Sequence, residues 1–174
     1  MEQQAIIDYF HKTIGTFKNG RSPPIFPGPQ PVSIERKHFQ TLKNGTYVVC
    51  EKSDGVRHSL ICTTFKGKKI CALINRTLSV TFVNLNFPKS ACNGTILDGE
   101  LINGNEFLVY DGMSTSGTNI MNLNLIERLD KIGIFIKGIM KTKKDFLKIK
   151  LKKFFVTPDT TELIHDYIPK LSYK

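Results

Sequence analysis

The sequence predicts an α+β fold in which antiparallel sheets are flanked by helices. Five runs of strand length are expected, and the first three are joined by brief turns, which is typical of an antiparallel meander. They cover residues 56–65, 69–74, 78–83, 95–102 and 106–110. Asn103-Gly104, between the last two runs, is the strongest short hairpin signal in the chain. Segments with helical periodicity lie on both sides of this block.

The N-terminal part predicts two helices separated by an irregular strap. An amphipathic helix is expected over Glu2–Ile14, because apolar residues recur there on one face and Gly15 follows. Residues 20–31 contain five of the eight prolines, which excludes regular structure. A short polar helix is then expected from Ser33 to Leu42, ended by the turn residues Asn44-Gly45.

The C-terminal part predicts a helix, a strand and a second helix. Residues 119–132 carry Ile126, Leu129 and Ile132 at helical spacing and predict a helix that covers the sheet. In residues 146–155 apolar side chains alternate with Lys148, Lys150 and Lys152, which predicts a strand with one basic face. Residues 159–167 begin with an Asp-x-x-Glu cap, Asp159 and Glu162, and predict a short helix that Pro169 ends.

Composition predicts a soluble intracellular domain. The 174 residues are 40% hydrophobic, enough for one core, and no apolar run reaches the length needed to span a membrane. The N-terminus lacks a signal-peptide pattern. Cys50, Cys62, Cys71 and Cys92 show no zinc spacing and are expected as reduced thiols. A net charge of +10 suits an anionic ligand such as a nucleotide or an RNA end, but it is equally compatible with solubility alone.

The segment Tyr47–Arg57 carries the candidate nucleophile. Its first four residues favour a buried strand, which would present the Lys52 amine at the end of a rigid element beside apolar neighbours. To attack phosphorus, a lysine needs its pKa lowered by roughly three units from about 10.4. The alternative is an ordinary Asp54-Gly55 hairpin turn between charged surface residues.

A pair of carboxylates marks a second candidate position. Asp98 and Glu100 are two residues apart in an apolar strand, so their side chains share one face. Buried carboxylates need partners, and these two therefore lie either at a wet edge or against a cationic group, meaning lysine, arginine or a metal.

Four segments in order resemble the motifs of the covalent nucleotidyltransferases, the superfamily of mRNA capping guanylyltransferases and ATP-dependent nucleic-acid ligases. Lys52-Ser-Asp-Gly-Val-Arg57 resembles the KxDG(x)R motif I, and residues 26–34 (FPGPQPVSI) are similar to the segment that leads into it in capping enzymes. Residues 96–101 (ILDGEL) resemble motif III, and residues 107–111 (FLVYD) resemble motif IIIa. The resemblance implies a nucleotidyltransferase (ATP-grasp-like) core.

The resemblance also implies roles for individual residues. Lys52 corresponds to the nucleophile. Nucleotide contacts are implied for Glu51, Asp54, Gly55, Arg57, Arg76, Glu100, Tyr110 and Lys152. Arg57 and Arg76 would hold the ribose and phosphates, although Arg76 also suits an exposed turn. Glu100 would receive the ribose hydroxyl or help to hold a metal, with Asp98 and Asp111 in support.

The base would be held by two further residues. Tyr110 would stack on the purine, although a core tyrosine fits the pattern as well. Lys152 would donate to guanine O6, which favours GTP over ATP. The resemblance thus implies covalent lysyl-GMP formation from GTP with Mg²⁺ or Mn²⁺, and transfer of GMP to the 5′-diphosphate end of RNA. It implies a location in the nucleus, or in the cytoplasm for a viral protein.

The pattern of motifs breaks off before the end of the family's catalytic core. No segment resembles motifs IV, V or VI or an OB-fold, so residues 1–174 are expected to form a C-terminally truncated nucleotidyltransferase domain. The missing segment would be supplied in cis or by another chain, and the 174 residues alone are expected to transfer GMP poorly. An ATP-dependent ligase fragment and a non-catalytic module that binds a nucleotide or RNA end are the two alternatives.

Overall fold

The computed structural model describes residues 2–45, 47–139, 147–156 and 160–171. The helices in these residues are α1 (Glu2–Ile14), α2 (Phe39–Asn44), α3 (Leu125–Lys137) and α4 (Thr160–Glu162), and α4 continues as a π-helical turn (Leu163–Tyr167). The strands are β1 (Val48–Val49), β2 (Val56–Phe65), β3 (Lys68–Asn75), β4 (Val80–Phe82), β5 (Thr95–Ile102), β6 (Glu106–Thr115), β7 (Thr118–Asn119), β8 (Lys148–Leu151) and β9 (Phe155–Val156). None of the described helices is long and apolar enough to cross a bilayer.

The chain divides into two compact units. The first unit comprises Met1–Gly28 and Gly55–Leu151, and the second comprises Pro29–Asp54 and Lys152–Lys174. The first unit contains α1, α3 and a sheet of seven strands among the described residues. The second unit contains α2, α4 and the two-residue ladder that joins β1 to β9.

The sheet of the first unit has the order β4-β3-β2-β5-β6-β7, with every neighbouring pair antiparallel. The predicted α+β class and antiparallel meander are therefore confirmed. The structure adds β8, which pairs with β6 in parallel. Parallel neighbours need a crossover connection, and α3 supplies it between β6 and β8.

The hairpin turn at Asn103-Gly104 forms where the sequence predicts it. Asn103 and Gly104 both have positive φ, 49° and 74°, and the Asn105 N–H donates to the Ile102 carbonyl, as the Asn-Gly signal predicts. A further tight turn at Ser116-Gly117, which joins β6 to β7, was not predicted.

Each face of the sheet supports a separate core cluster. One cluster combines α1 with the strands, and its members include Ile6, Phe10, Phe26, Ile61, Ile74, Ile96 and Met113. The other combines α3 with the opposite face, and its members include Leu60, Cys62, Leu73, Leu97, Phe107, Val109, Ile132 and Phe135. Side chains alternate across the sheet along each strand, so β2 and β5 contribute to both clusters.

Helix α3 begins six residues later than the predicted helix over 119–132. Asn119 lies in β7, and Asn124 is the N-cap, because its side chain accepts a hydrogen bond from the Glu127 N–H at 3.0 Å. Leu129 and Ile132 face the core as predicted, whereas Ile126 is 49% exposed. Several asparagines precede the helix, and Asn124 is favoured as the cap because its own N–H donates a reciprocal hydrogen bond to the Glu127 side chain.

Three other predicted elements differ from the structure. The polar helix predicted to start at Ser33 starts with a 3₁₀ turn at Arg36. The strand predicted over 47–50 is reduced to β1, and the strand predicted over 146–155 is divided into β8 and β9. Phe146 and Asp159, the predicted first residues of a strand and a helix, lie outside the described residues.

The cysteines are reduced and mostly buried. Cys62 and Cys71 are directly opposite one another on β2 and β3, with their sulfur atoms 3.3 Å apart. Burial raises the pKa of Cys71 well above its ordinary value, which keeps this thiol protonated and unreactive. Cys92 is also buried, and Cys50 is partly exposed.

Candidate active site

One end of the seven-stranded sheet brings together several predicted site residues. The pairing of Val56 with Leu101 places the start of β2 beside the end of β5, and His58 pairs with Asn75 at the end of β3. Arg57, Glu100 and Arg76 therefore all belong to this end, although they are far apart in sequence.

Arg57 is held by Asp98 in a two-pronged ion pair. Its Nε donates to Asp98 Oδ1 at 3.1 Å, and its Nη2 donates to Asp98 Oδ2 at 2.5 Å. The pairing register places Arg57 directly opposite Glu100, and Asp98 is the next residue along β5 on the same face. The side chains are 12% and 1% exposed, so this is a buried pair with fixed geometry. Of the two alternatives that the sequence left open for Asp98, a wet edge or a cationic group, the structure shows the second.

Tyr110 also binds the carboxylate of Asp98. Its hydroxyl donates to Asp98 Oδ1 at 3.1 Å. A register shift between β5 and β6 at Asp98 and Gly99 occurs at this point. Burial, followed by the negative charge of Asp98, raises the pKa of Tyr110, so its hydroxyl remains a donor at neutral pH. The predicted stacking of its ring on a base stays a prediction.

The electrostatic balance keeps the ion pair charged. Burial alone would lower the pKa of Arg57, but the hydrogen bonds and charge of Asp98 raise it above its ordinary value. Burial raises the pKa of Asp98, while the hydrogen bonds from Arg57 oppose that change. A guanidinium stays protonated at every relevant pH, so the end of the sheet presents a permanent and immobilised cation.

Glu100 lies next to the backbone of Gly55. A Cβ atom on Gly55 would lie 2.8 Å from Glu100 Cβ, 3.0 Å from the Leu101 carbonyl oxygen and 2.5 Å from Ile102 Cδ1. Only glycine allows this close approach, which explains why the segment that leads into β2 needs a residue without a side chain. Glu100 itself is half-buried.

The surroundings of Arg76 and Asp111 differ from those of the network formed by Arg57, Asp98 and Tyr110. Arg76 is exposed in the turn after β3, and the Asn75 side chain organises that turn by accepting from the Thr77 and Ser79 N–H groups. Asp111 binds Arg128 of α3 at 2.7 and 2.9 Å. Asp111 therefore anchors α3 to β6, a role that no motif indicated.

Lys52 belongs to the second unit, and its surroundings differ from those expected. β1 ends three residues before it, its side chain is 83% exposed, and its amine donates to Asp54 Oδ1. The expectation of a lysine at the end of a strand, among apolar neighbours, is wrong for this structure. Asp54 adopts a left-handed conformation with φ 51°, which turns the chain immediately before Gly55.

Lys152 and Glu51 form a buried pair in the same unit. Lys152 Nζ lies 3.9 Å from Glu51 Oε1, and the side chains are 4% and 3% exposed. The basic stripe predicted for the strand over 146–155 therefore ends before Lys152, whereas Lys148 and Lys150 remain exposed as predicted. A buried ammonium beside a carboxylate is held in one place.

Sequence reasoning missed one partner of Arg57. The guanidinium carbon lies 5.0 Å from the centroid of the Phe26 ring, which is itself buried. Phe26 lies in the segment singled out for its resemblance to capping enzymes, but nothing in that pattern indicated which side chain it would contact.

Comparison with known proteins agrees with this architecture. The α+β fold with an antiparallel sheet is that expected of a nucleotidyltransferase domain, and the family model for the mRNA capping enzyme catalytic domain matches residues 2–174. The chain therefore belongs to the mRNA capping enzyme catalytic-domain family.

Individual relatives are fungal and animal capping enzymes. The mRNA-capping enzyme subunit alpha of Schizosaccharomyces pombe is 34% identical over 163 residues, covering 83% of this chain and 40% of the relative. That of Neurospora crassa is 31% identical over 183 residues, covering 88% and 46%. The mRNA-capping enzyme of Danio rerio is 34% identical over 117 residues, covering 60% and 19%. The chain thus spans less than half the length of these curated relatives.

Proposed function

We propose that the protein containing this chain is an mRNA guanylyltransferase. In the first step, the Lys52 amine attacks the α-phosphorus of GTP, a P–N bond forms, and the bond to the β-phosphate breaks to release pyrophosphate. In the second step, a terminal oxygen of an RNA 5′-diphosphate attacks the same phosphorus and releases the lysine. This reaction acts on new transcripts, so we expect the protein in the nucleus, or in the cytoplasm if it is viral.

The observation that carries this proposal is the network of Arg57, Asp98 and Tyr110. Nucleotidyl transfer depends chiefly on positioning and on stabilising charge at phosphorus, and a rigid guanidinium supplies both. Two hydrogen bonds to Asp98 immobilise that guanidinium. The match to the capping-enzyme family model over residues 2–174 supports the resemblance of the segment containing Lys52 to motif I.

The other predicted residues fit supporting roles. Glu100, opposite Arg57 in the sheet, would accept a hydrogen bond from the ribose. Tyr110 would offer its ring to the base while its hydroxyl stays on Asp98. Arg76 would approach the phosphates from its exposed turn, and Lys152 would donate to guanine O6. For the amine of Lys52 to attack, it must first leave Asp54.

A divalent ion enters this scheme with the substrate. The described residues contain no group of three or more His, Cys, Asp or Glu side chains that could hold a metal. Mg²⁺ commonly binds through one or two carboxylates together with nucleotide phosphates, so a closed protein cage is not required. We therefore propose that Mg²⁺ or Mn²⁺ arrives on the triphosphate and that Glu100 is the candidate carboxylate ligand.

The test is covalent labelling of the full-length protein with α-labelled GTP and magnesium. The wild type is expected to retain label after denaturation, and Lys52→Ala is expected to retain none. Lys153→Ala is the matched control, because Lys153 is also an exposed lysine bound to a carboxylate, that of Glu162. Label that persists in Lys52→Ala would refute the assignment of the nucleophile.

Parallel reactions separate the alternatives. Labelling with ATP in place of GTP would identify a ligase-type adenylation domain. Binding of GTP without covalent labelling in the full-length protein would identify a non-catalytic module.

A further inference from the structure

The guanidinium of Arg57 lies over the ring of Phe26. The distance from the ring centroid to the guanidinium carbon is 5.0 Å, within the range of a cation–π contact. Phe26 is 8% exposed, and the Arg57 side chain is 12% exposed, so water is largely excluded from this contact. Partial desolvation strengthens a cation–π contact relative to one at the surface.

The contacts with Asp98 and Phe26 restrict different motions of the same group. Asp98 binds the edge of the guanidinium that carries Nε and Nη2. Edge contacts fix the position of a planar group but leave it able to tilt about that edge. Contact with the Phe26 ring opposes the tilt, because tilting would reduce the contact between the two groups. Together the two contacts define both the position and the plane of the guanidinium.

Phe26 is itself held in place. It packs edge-on against Phe10 of α1, with ring centroids 5.5 Å apart and planes at 78°. Gly28 passes close to both partners: a Cβ atom there would lie 2.4 Å from Phe26 Cε1 and 3.2 Å from Arg57 Nη2. The Phe-Pro-Gly segment therefore fits tightly around the contact.

We propose that Phe26 is a positioning residue that orients Arg57 for the α-phosphate and ribose of GTP. The proposal rests on the nucleotide role of Arg57 proposed above. It assigns the Phe-Pro-Gly segment to the nucleotide site through the contact with Arg57, while the segment also contributes to the core around α1.

The first experiment needs no nucleotide. In NMR spectra of the chain, the Arg57 Nε–H proton is expected to be shifted by the current of the Phe26 ring. Phe26→Leu should remove that shift, whereas Phe26→Tyr, which keeps a ring, should retain it. Phe135→Leu is the matched control, because Phe135 is 6% exposed in the core cluster on the opposite face of the sheet. An Arg57 signal that is unchanged in Phe26→Leu would overturn the proposal.

The second experiment measures GTP-dependent labelling in the full-length protein. Phe26→Leu is expected to raise KM for GTP about fivefold to tenfold, the size of one partly desolvated cation–π contact. Phe26→Tyr and Phe135→Leu are expected to stay within about twofold of the wild type. In Arg57→Lys, which removes the planar group, adding Phe26→Leu should raise KM little further.

The outcomes separate the two proposals. An equal rise of KM in Phe26→Leu and Phe135→Leu would show a general effect of core damage and overturn the positioning role. A wild type that takes no label from GTP would overturn the proposed function, and the NMR comparison would still decide whether Phe26 orients Arg57.

Discussion

Each compact unit contains an ion pair, and the two pairs differ in how deeply they are buried. Arg57 and Asp98 meet on a sheet face, with side chains 12% and 1% exposed. Lys52 and Asp54 meet in a segment without regular structure, with side chains 83% and 68% exposed. A buried pair is rigid and costly to break, whereas an exposed pair is screened by water and contributes little. Arg57, one of the groups proposed to hold the nucleotide, is thus held rigidly, whereas the proposed nucleophile is exposed.

Removing one carboxylate from each pair should give the largest contrast. Asp98→Asn leaves the buried Arg57 charge without its counter-charge, and we expect the free energy of unfolding to fall by about 3 kcal/mol. Asp54→Asn keeps a residue that tolerates the left-handed conformation, and we expect a change within about 0.5 kcal/mol. Urea unfolding of both variants measures the difference. Equal losses would contradict the distinction between the two pairs.

Adding a methyl group at two glycines should produce effects of opposite sign. Gly55→Ala places a Cβ against Glu100 and Leu101, and we expect it to destabilise the protein by about 1–3 kcal/mol. Gly133→Ala in α3 meets only Leu151 Cδ2 at 3.8 Å, and we expect stabilisation by about 0.5–1 kcal/mol. Thermal unfolding of the two variants checks this. A neutral Gly55→Ala would show that the chain before β2 has room to move.

A smaller effect on stability is expected from acid, through His11. His11 is fully buried in α1, and its Nδ1 lies 2.8 Å from Thr16 Oγ1. Burial lowers its pKa below 6.5, against the weaker opposing charge of Asp8. The unfolded chain therefore takes up a proton at a higher pH than the folded chain. The free energy of unfolding should fall as pH decreases below 6.5.

His11→Gln tests this assignment, because it removes the titrating group. Unfolding midpoints between pH 5 and pH 7.5 should decline less steeply in the variant than in the wild type. The same slope in both proteins would assign the acid sensitivity to other groups.

The parts of the fold that depend on local signals could be predicted from the sequence. Strands β2 to β6 follow from alternation and from turn pairs such as Asn103-Gly104, which specify their hairpins within a few residues. The parallel pairing of β8 with β6 could not be predicted, because it depends on where the crossover through α3 returns to the sheet. The start of α3 was misplaced because Asn119 and Asn124 are both acceptable caps.

Part of the candidate site could likewise be predicted from the sequence, and part could not. The shared face of Asp98 and Glu100 follows from strand periodicity, and a cationic partner was one of the two alternatives that it left open. The exposure of Lys52 could not be predicted, because the apolar run before it suits a longer strand than its partner allows. Among the described residues, that partner, β9, pairs with it at two positions. The contact between Phe26 and Arg57 depends on the irregular strap, whose path has no sequence period.

Arg57 and Asp98 are 41 positions apart in sequence, so the nascent chain contains Arg57 before Asp98 has been synthesised. The β2–β3 hairpin is complete once Asn75 has been synthesised, but the edge of β2 that later receives β5 stays open until residues 95–102 follow. During that interval the hairpin exposes unpaired backbone groups and a guanidinium without its acid. Closing so long a loop is slow relative to forming a hairpin, so we expect the joining of β2 to β5 to limit the rate of folding of this unit.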